Sequence, residues 1–203
     1  MLILNLLSNI YLFIGFIVAL AIAISVHEAA HAWMSNKLGD STAKQQGRIS
    51  LNPLAHLDLL GTVFLFLVGL GWGKPVPVNY HNLSHPKIDG LKIALAGPVS
   101  NLFTAIIFAL ILRFIPLNEI LASITFIIVQ LNLVLMIFNL IPIPPLDGSN
   151  ILAGIVPDEV YESIRQLSTP LLLIFLIFAF TTNYISNFIS MVTQFFLKIL
   201  VGI

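Results

Sequence analysis

The chain has 203 residues, of which 58% are apolar and 9% charged, far below the roughly 25% charged residues of an ordinary soluble domain, so a soluble enzyme is excluded. Nine Lys+Arg balance nine Asp+Glu, which leaves no basic field to collect nucleic acid and no acidic tail. The absence of cysteine excludes disulfides, iron–sulfur clusters and thiolate zinc sites, so any metal must sit on His, Asp or Glu.

Uncharged stretches at 1–26, 93–112, 120–146 and 166–197 are each long enough to cross a hydrocarbon core. The first span reads from about Asn9 to Asn36 and stops at Lys37-Leu38-Gly39-Asp40. It has no basic n-region or obvious cleavage site, so it is expected to remain as an anchor. Residues 37–58 read as loop, with a short strand around Arg48–Leu51. The apolar piece Leu59–Leu70 has the length of a re-entrant or interfacial segment. Glycines, prolines and alternating valines over 71–79 predict an extended, strand-like edge. Spans near 91–113 and 119–141, joined by a turn with Pro116 and Asn118, are expected to be antiparallel. Pro142, Pro144 and Pro145 end the second of these, 149–166 reads as a short polar-faced helix, and 167–203, broken near Thr181–Tyr184, holds one or two further spans.

The expected architecture is an all-α polytopic membrane protein in a single domain, 1–203. It is a bundle of about four to six transmembrane helices with a re-entrant segment and a short extended or β-like element. Lys37, Lys44 and Arg48 in one loop, and Lys74, Lys87 and Lys92 in another, both favour the cytoplasm. They share a side only if 59–70 dips in and returns. The N-terminus then starts outside, and His27, His31 and Asp147 all fall toward cytoplasmic helix ends.

The chemistry centres on His27-Glu28-Ala29-Ala30-His31 in the first span. Two imidazoles four residues apart lie on one helical face, near enough to hold one zinc ion, and Glu28 beside them is placed to take a proton from water activated by the metal. HExxH also arises by chance, but ionisable residues within an apolar span are functional by default. Two histidines do not complete a catalytic zinc site, which usually has three protein ligands. The other intramembrane carboxylate is Asp147, in Asn139-Leu140-Ile141-Pro142-Ile143-Pro144-Pro145-Leu146-Asp147-Gly148. There the prolines release the chain from its helix, so that a carboxylate is presented sideways, although Asp147 would also serve as an N-cap.

HEAAH in a span, followed far downstream by NLIPIPPLDG, resembles the site-2 protease family of intramembrane zinc metalloproteases. Gly47-Arg48-Ile49-Ser50-Leu51-Asn52-Pro53, the run at 71–79 and Ala96-Gly97-Pro98-Val99-Ser100-Asn101 resemble its compact members. The likeness covers roughly residues 15–155. It implies a catalytic core at about 10–155, C-terminal membrane helices at about 166–203, one zinc ion on His27, His31 and Asp147, and Glu28 as general base. It further implies cleavage of transmembrane protein substrates within the bilayer of a prokaryotic cell membrane, and a role for Asn139 in orienting substrate or polarising the scissile carbonyl. PDZ and CBS domains, which larger relatives carry, have no room here.

A metal-ion transporter would stagger polar residues across the membrane, and a non-catalytic zinc-stabilised scaffold would not need Glu28. Other polar residues take structural readings. His56 and Asp58 read as partners at the start of the short apolar piece, and His81 and His85 as solvated. Gly97-Pro98 with Ser100 and Asn101 reads as a surface for close helix packing, and Trp72 and Tyr80 as interfacial anchors.

Overall fold

The computed structural model describes residues 9–61, 63 and 73–202. Helix α1, Ile10–Lys37, is capped by the Asn9 side chain, which accepts from the amides of Tyr11 and Leu12. It ends at Gly39, whose φ of 111° turns the chain so that the Asp40 amide reaches back to Ser35 O. A short helix α2, Thr42–Gln45, and turns at Pro53–Ala55 and Tyr80–Asn82 lie between α1 and the next long helix. That helix, α3, spans Pro86–Phe114 with Pro98 inside it, and α4 spans Glu119–Asn139 with the Asn118 side chain capping its first turn. Beyond the proline run come α5, Asp147–Ile155, and α6, Asp158–Gln166, then α7, Ser168–Thr181, and α8, Tyr184–Leu200.

In a bilayer the surroundings are as apolar as the side chains, so helices associate through close packing and interhelical hydrogen bonds. The sequence supplies both. Ala19, Ala23, Ala32, Ala105 and Ala109 are buried at the helix contacts, and Gly15 of α1 lies against Ile124 of α4. Ala105 and Ala109 of α3 share a core with Val129, Leu133, Met136 and Ile137 of α4, which Leu197 of α8 completes. The outer face of α3 presents Val99, Phe103, Ile107, Leu110 and Phe114, an exposed stripe at helical spacing suited to lipid.

Three helices, α1, α3 and α4, are long and apolar enough to cross a membrane. The bent pair Leu173–Ala179 and Tyr184–Leu200, at 76°, brings the number to four if it forms one span. Higher span numbers find no support among the described residues. The proposed re-entrant piece at 59–70 and Trp72 lie largely outside them. Residues 149–166 form two helices rather than one, parted at Val156 and Pro157.

The strand expected around Arg48–Leu51 is not formed. Two of its backbone groups are taken locally, Arg48 N by Ala43 O at 3.0 Å and Ser50 O by His56 Nε2 at 2.7 Å, and are not free for a ladder. The extended edge is reduced, among the described residues, to one antiparallel bridge between Leu57 and Gly73, with Lys74 N donating to His56 O at 2.7 Å.

Candidate metal centre

His27 and His31 lie one turn apart on α1, and both are buried. The proline run after α4 brings the chain back so that Asp147, the first residue of α5, faces them. The N-cap of α5 is Leu146, so the capping use of Asp147 does not apply. Gly148 makes the turn possible, because a Cβ there would overlap the carbonyls of Leu140 and Ile141.

Asp147 Oδ2 stands 3.0 Å from His27 Nε2 and 3.2 Å from His31 Nε2, and the two Nε2 atoms are 3.1 Å apart. Ligands bonded at about 2.0–2.1 Å to one tetrahedral zinc are separated by about 3.3 Å, so this triangle has the size of one face of a zinc site. The protonation of the rings follows from their other nitrogens. His31 Nδ1 lies 2.7 Å from the Ile93 carbonyl, which only accepts. His27 Nδ1 lies 2.7 Å from Asn101 Oδ1, and the Asn101 amide is oriented because its Nδ2 donates to Ala23 O and to Asn132 Oδ1. Both imidazoles therefore carry hydrogen on Nδ1, and in the neutral form each turns a lone pair toward Asp147 Oδ2, itself buried without a hydrogen-bond partner. Three acceptor atoms so close repel one another unless a cation lies among them. His27, His31 and Asp147 thus form a group that could hold a metal ion.

Helix α3 shapes the back of this site. Gly97 has no side chain where one would overlap His31 Nε2 and His27 Cε1. Pro98 has no N–H for the Ala94 carbonyl, and the neighbouring Ile93 carbonyl meets His31 Nδ1. The sequence reading of Gly97-Pro98 with Ser100 and Asn101 as a packing surface captures Gly97 but misses the bond of Asn101 to His27, and it does not name Asn132. Asn101 and Asn132 are fully buried amides in spans, and that cost in lipid is the signal that would have found them.

Glu28 projects about 100° round α1 from His27 and is half-buried, its Oε1 3.7 Å from the position a Cβ would take on Gly73. The structure does not bring Asn139 into the group. Its Nδ2 donates to Leu135 O of its own helix at 3.1 Å. His56 is fully buried and bonded to Ser50 O, Asp58 accepts from the Gly61 amide, and His81 and His85 are exposed, all as their structural readings have it.

Comparison with known proteins bears on the same residues. The model of peptidase family M50 matches residues 117–181, the stretch that contains Asn139 and Asp147. A Bacillus subtilis protein named "Putative zinc metalloprotease YwhC" is 41% identical over 170 residues, 79% of this chain and 78% of its own. The chain belongs to peptidase family M50, the site-2 proteases. Among further relatives of the same description, Rip2 of Mycobacterium tuberculosis is 31% identical over 77% of this chain and 61% of its own length. MJ0611 of Methanocaldococcus jannaschii is 30% identical over 71% of this chain and 72% of its own. No solved structure matches. Membership in M50 makes the chain a zinc metalloprotease, and its apolar helices make it an integral membrane protein.

Proposed function

We propose that this protein is an intramembrane endopeptidase that holds one zinc ion on His27, His31 and Asp147 and cuts transmembrane segments of other membrane proteins. The observation that carries the reading is the convergence of three lone-pair atoms, from two distant parts of the chain, to within 3.0–3.2 Å. The chemistry that a zinc ion held by His27, His31 and Asp147 would supply is Lewis acidity, which would make water nucleophilic near neutral pH and polarise a carbonyl. Glu28 accepts the proton of the attacking water and delivers it to the leaving amine. A transporter reading fits less well, because the ligand atoms gather at one point instead of marking a path.

A helical substrate hides its carbonyls in its own hydrogen bonds and must be unwound before attack. The segment from Gly73 to Asn79, whose Gly73 lies beside Glu28, offers an edge against which an unwound stretch can pair, and Asn139 would orient substrate there as the resemblance implies. Retained activity after deletion or proline scanning of 75–78 would remove the edge from the mechanism. The setting we infer is a prokaryotic cell membrane with the site toward the cytoplasm, and the role is regulated intramembrane proteolysis.

The test is zinc content and cleavage of a generic transmembrane substrate by the purified protein beside Glu28→Gln and Asp147→Ala. Glu28→Gln should keep zinc and lose roughly 10²–10⁴-fold in turnover, the usual contribution of a general base. Asp147→Ala should lose both zinc and activity. Equal zinc and equal turnover in all three would overturn the assignment.

A further inference from the structure

Beyond the three proposed ligands, a line of buried amides runs from the metal centre into the bundle. His27 Nδ1 donates to Asn101 Oδ1 at 2.7 Å, Asn101 Nδ2 donates to Asn132 Oδ1 at 2.9 Å, and Asn132 Nδ2 donates to Ile128 O at 2.8 Å. A second donor bond from Asn101 Nδ2 returns to Ala23 O of α1 at 2.9 Å. Asn101 and Asn132 are both completely buried.

The direction of this line is fixed at its far ends, since Ile128 O and Ala23 O are helix carbonyls and only accept. Each amide must then point its oxygen toward His27, and the ring has one acceptable tautomer. The line also crosses three helices: α1 carries His27 and His31, α3 carries Asn101, and α4 carries Asn132 and leads to Asp147 fifteen residues later. Amides make this link without placing a charge in lipid.

We propose that Asn101 is a positioning residue with two tasks. It holds His27 with the Nε2 lone pair toward the metal, and through Asn132 it sets the register of the helix that delivers Asp147. The inference rests on the proposed metal site. One of its readouts needs no metal, so that its failure and the failure of that site are distinguishable.

The experiment uses the full-length protein in micelles, labelled with ¹⁵N-histidine, with the His27 signals assigned through His27→Gln. Long-range ¹⁵N–¹H spectra of the metal-stripped protein read the His27 tautomer, and chelator competition reads zinc affinity. Wild type should carry hydrogen on Nδ1 of His27. Asn101→Leu should lose that preference and weaken zinc roughly 10- to 100-fold, the usual effect of removing an outer-shell partner. Asn101→Asp, which restores the acceptor but cannot donate to Asn132, should recover the His27 tautomer and bind zinc about as weakly as Asn132→Leu, more tightly than Asn101→Leu. Asn132→Leu should weaken zinc while leaving the His27 tautomer unchanged.

Wild-type tautomer and affinity in Asn101→Leu would overturn the proposal, as would zinc binding in a folded Asn101→Asp as weak as in Asn101→Leu. If Asn101→Leu does not fold, Asn101→Asp decides beside Asn132→Leu: the wild-type tautomer with zinc as weak as in Asn132→Leu supports the relay, and a lost tautomer or wild-type zinc affinity in the folded variant refutes it. A wild type that shows the expected tautomer but binds no zinc would sink the metal-site reading and leave the relay standing.

Discussion

At Gly97 the lack of a side chain is what allows two imidazoles to lie against α3. A Cβ would overlap atoms of both rings, and neither ring can retreat without giving up its Nδ1 bond to Ile93 O or Asn101 Oδ1. Gly97→Ala should therefore lose zinc, with a stability cost of about 1–3 kcal/mol as for other overpacked sites. Gly47 is the matched control. Its φ of 69° disfavours a side chain, but no atom lies within 4 Å of the added Cβ, so Gly47→Ala should cost about 1–2 kcal/mol and leave zinc untouched. Zinc stoichiometry and thermal melts of the two variants check the pair, and zinc retained in Gly97→Ala would show that the rings have room to move.

The element that depends most on polar contacts is the loop between α1 and α3, which carries Gly73 to its place beside Glu28. Asp40, fully buried after α1, accepts from Ser35 Oγ, Thr42 N, Thr42 Oγ1, Asn79 N and Asn82 Nδ2, and so ties the end of α1 to residues 79–82. The buried Arg48 guanidinium donates to Lys74 O, and His56 O accepts from Lys74 N. Burial by itself would raise the Asp40 carboxyl. The hydrogen bonds from Thr42, Asn82 and Asn79 outweigh it and hold the group well below the usual carboxylate range. A lowered folded pKa gives stability that is complete above the unfolded value near 4 and is lost as pH falls below it. The melting temperature should thus drop below about pH 4. Asp40→Asn, which turns a donor toward donors, should cost about 1–3 kcal/mol at neutral pH and flatten that acid limb. A wild-type acid limb unchanged in Asp40→Asn would assign the loss to other carboxylates. This loop also marks where sequence reading stops. The spans were legible because 20 apolar residues in a row have few other uses, and His27 and His31 because charge in lipid is costly, whereas Asp147 was reached through the topology and the family resemblance. Asp40, Arg48 and the missing strand at 48–51 were not, since which backbone group a buried side chain will claim depends on contacts between segments tens of residues apart.

Across the whole molecule, α1 and α3 run antiparallel and α4 runs with α1. Ser100 and Asn101 of α3 meet Val26 and Ala23 of α1, Ile93 meets His31, and Gly15 near the start of α1 meets Ile124 near the start of α4. The chain thus leaves α1 and enters α3 at the same end of the bundle, where Asp40 joins Asn79 and Asn82 and where the metal group lies. The loops with Lys37, Lys44 and Arg48 and with Lys74, Lys87 and Lys92 both belong to that end, and on these six cations rests our proposal that it faces the cytoplasm. The turn after Phe114, with Pro116, belongs to the opposite end. Because the native chain has no cysteine, a single introduced thiol reports its own side without background. Lys44→Cys and Ser84→Cys, at exposed positions, should resist a membrane-impermeant maleimide added to intact cells and react after permeabilisation, whereas Pro116→Cys should react from outside in both cases. The reverse pattern would place the metal centre on the outer face, and substrates would then have to present their cleavage sites from that side. Labelling of Lys44→Cys and Ser84→Cys from opposite sides would contradict the hydrogen bonds that join Asp40 to Asn79 and Asn82, and with them the arrangement of helices on which the site depends.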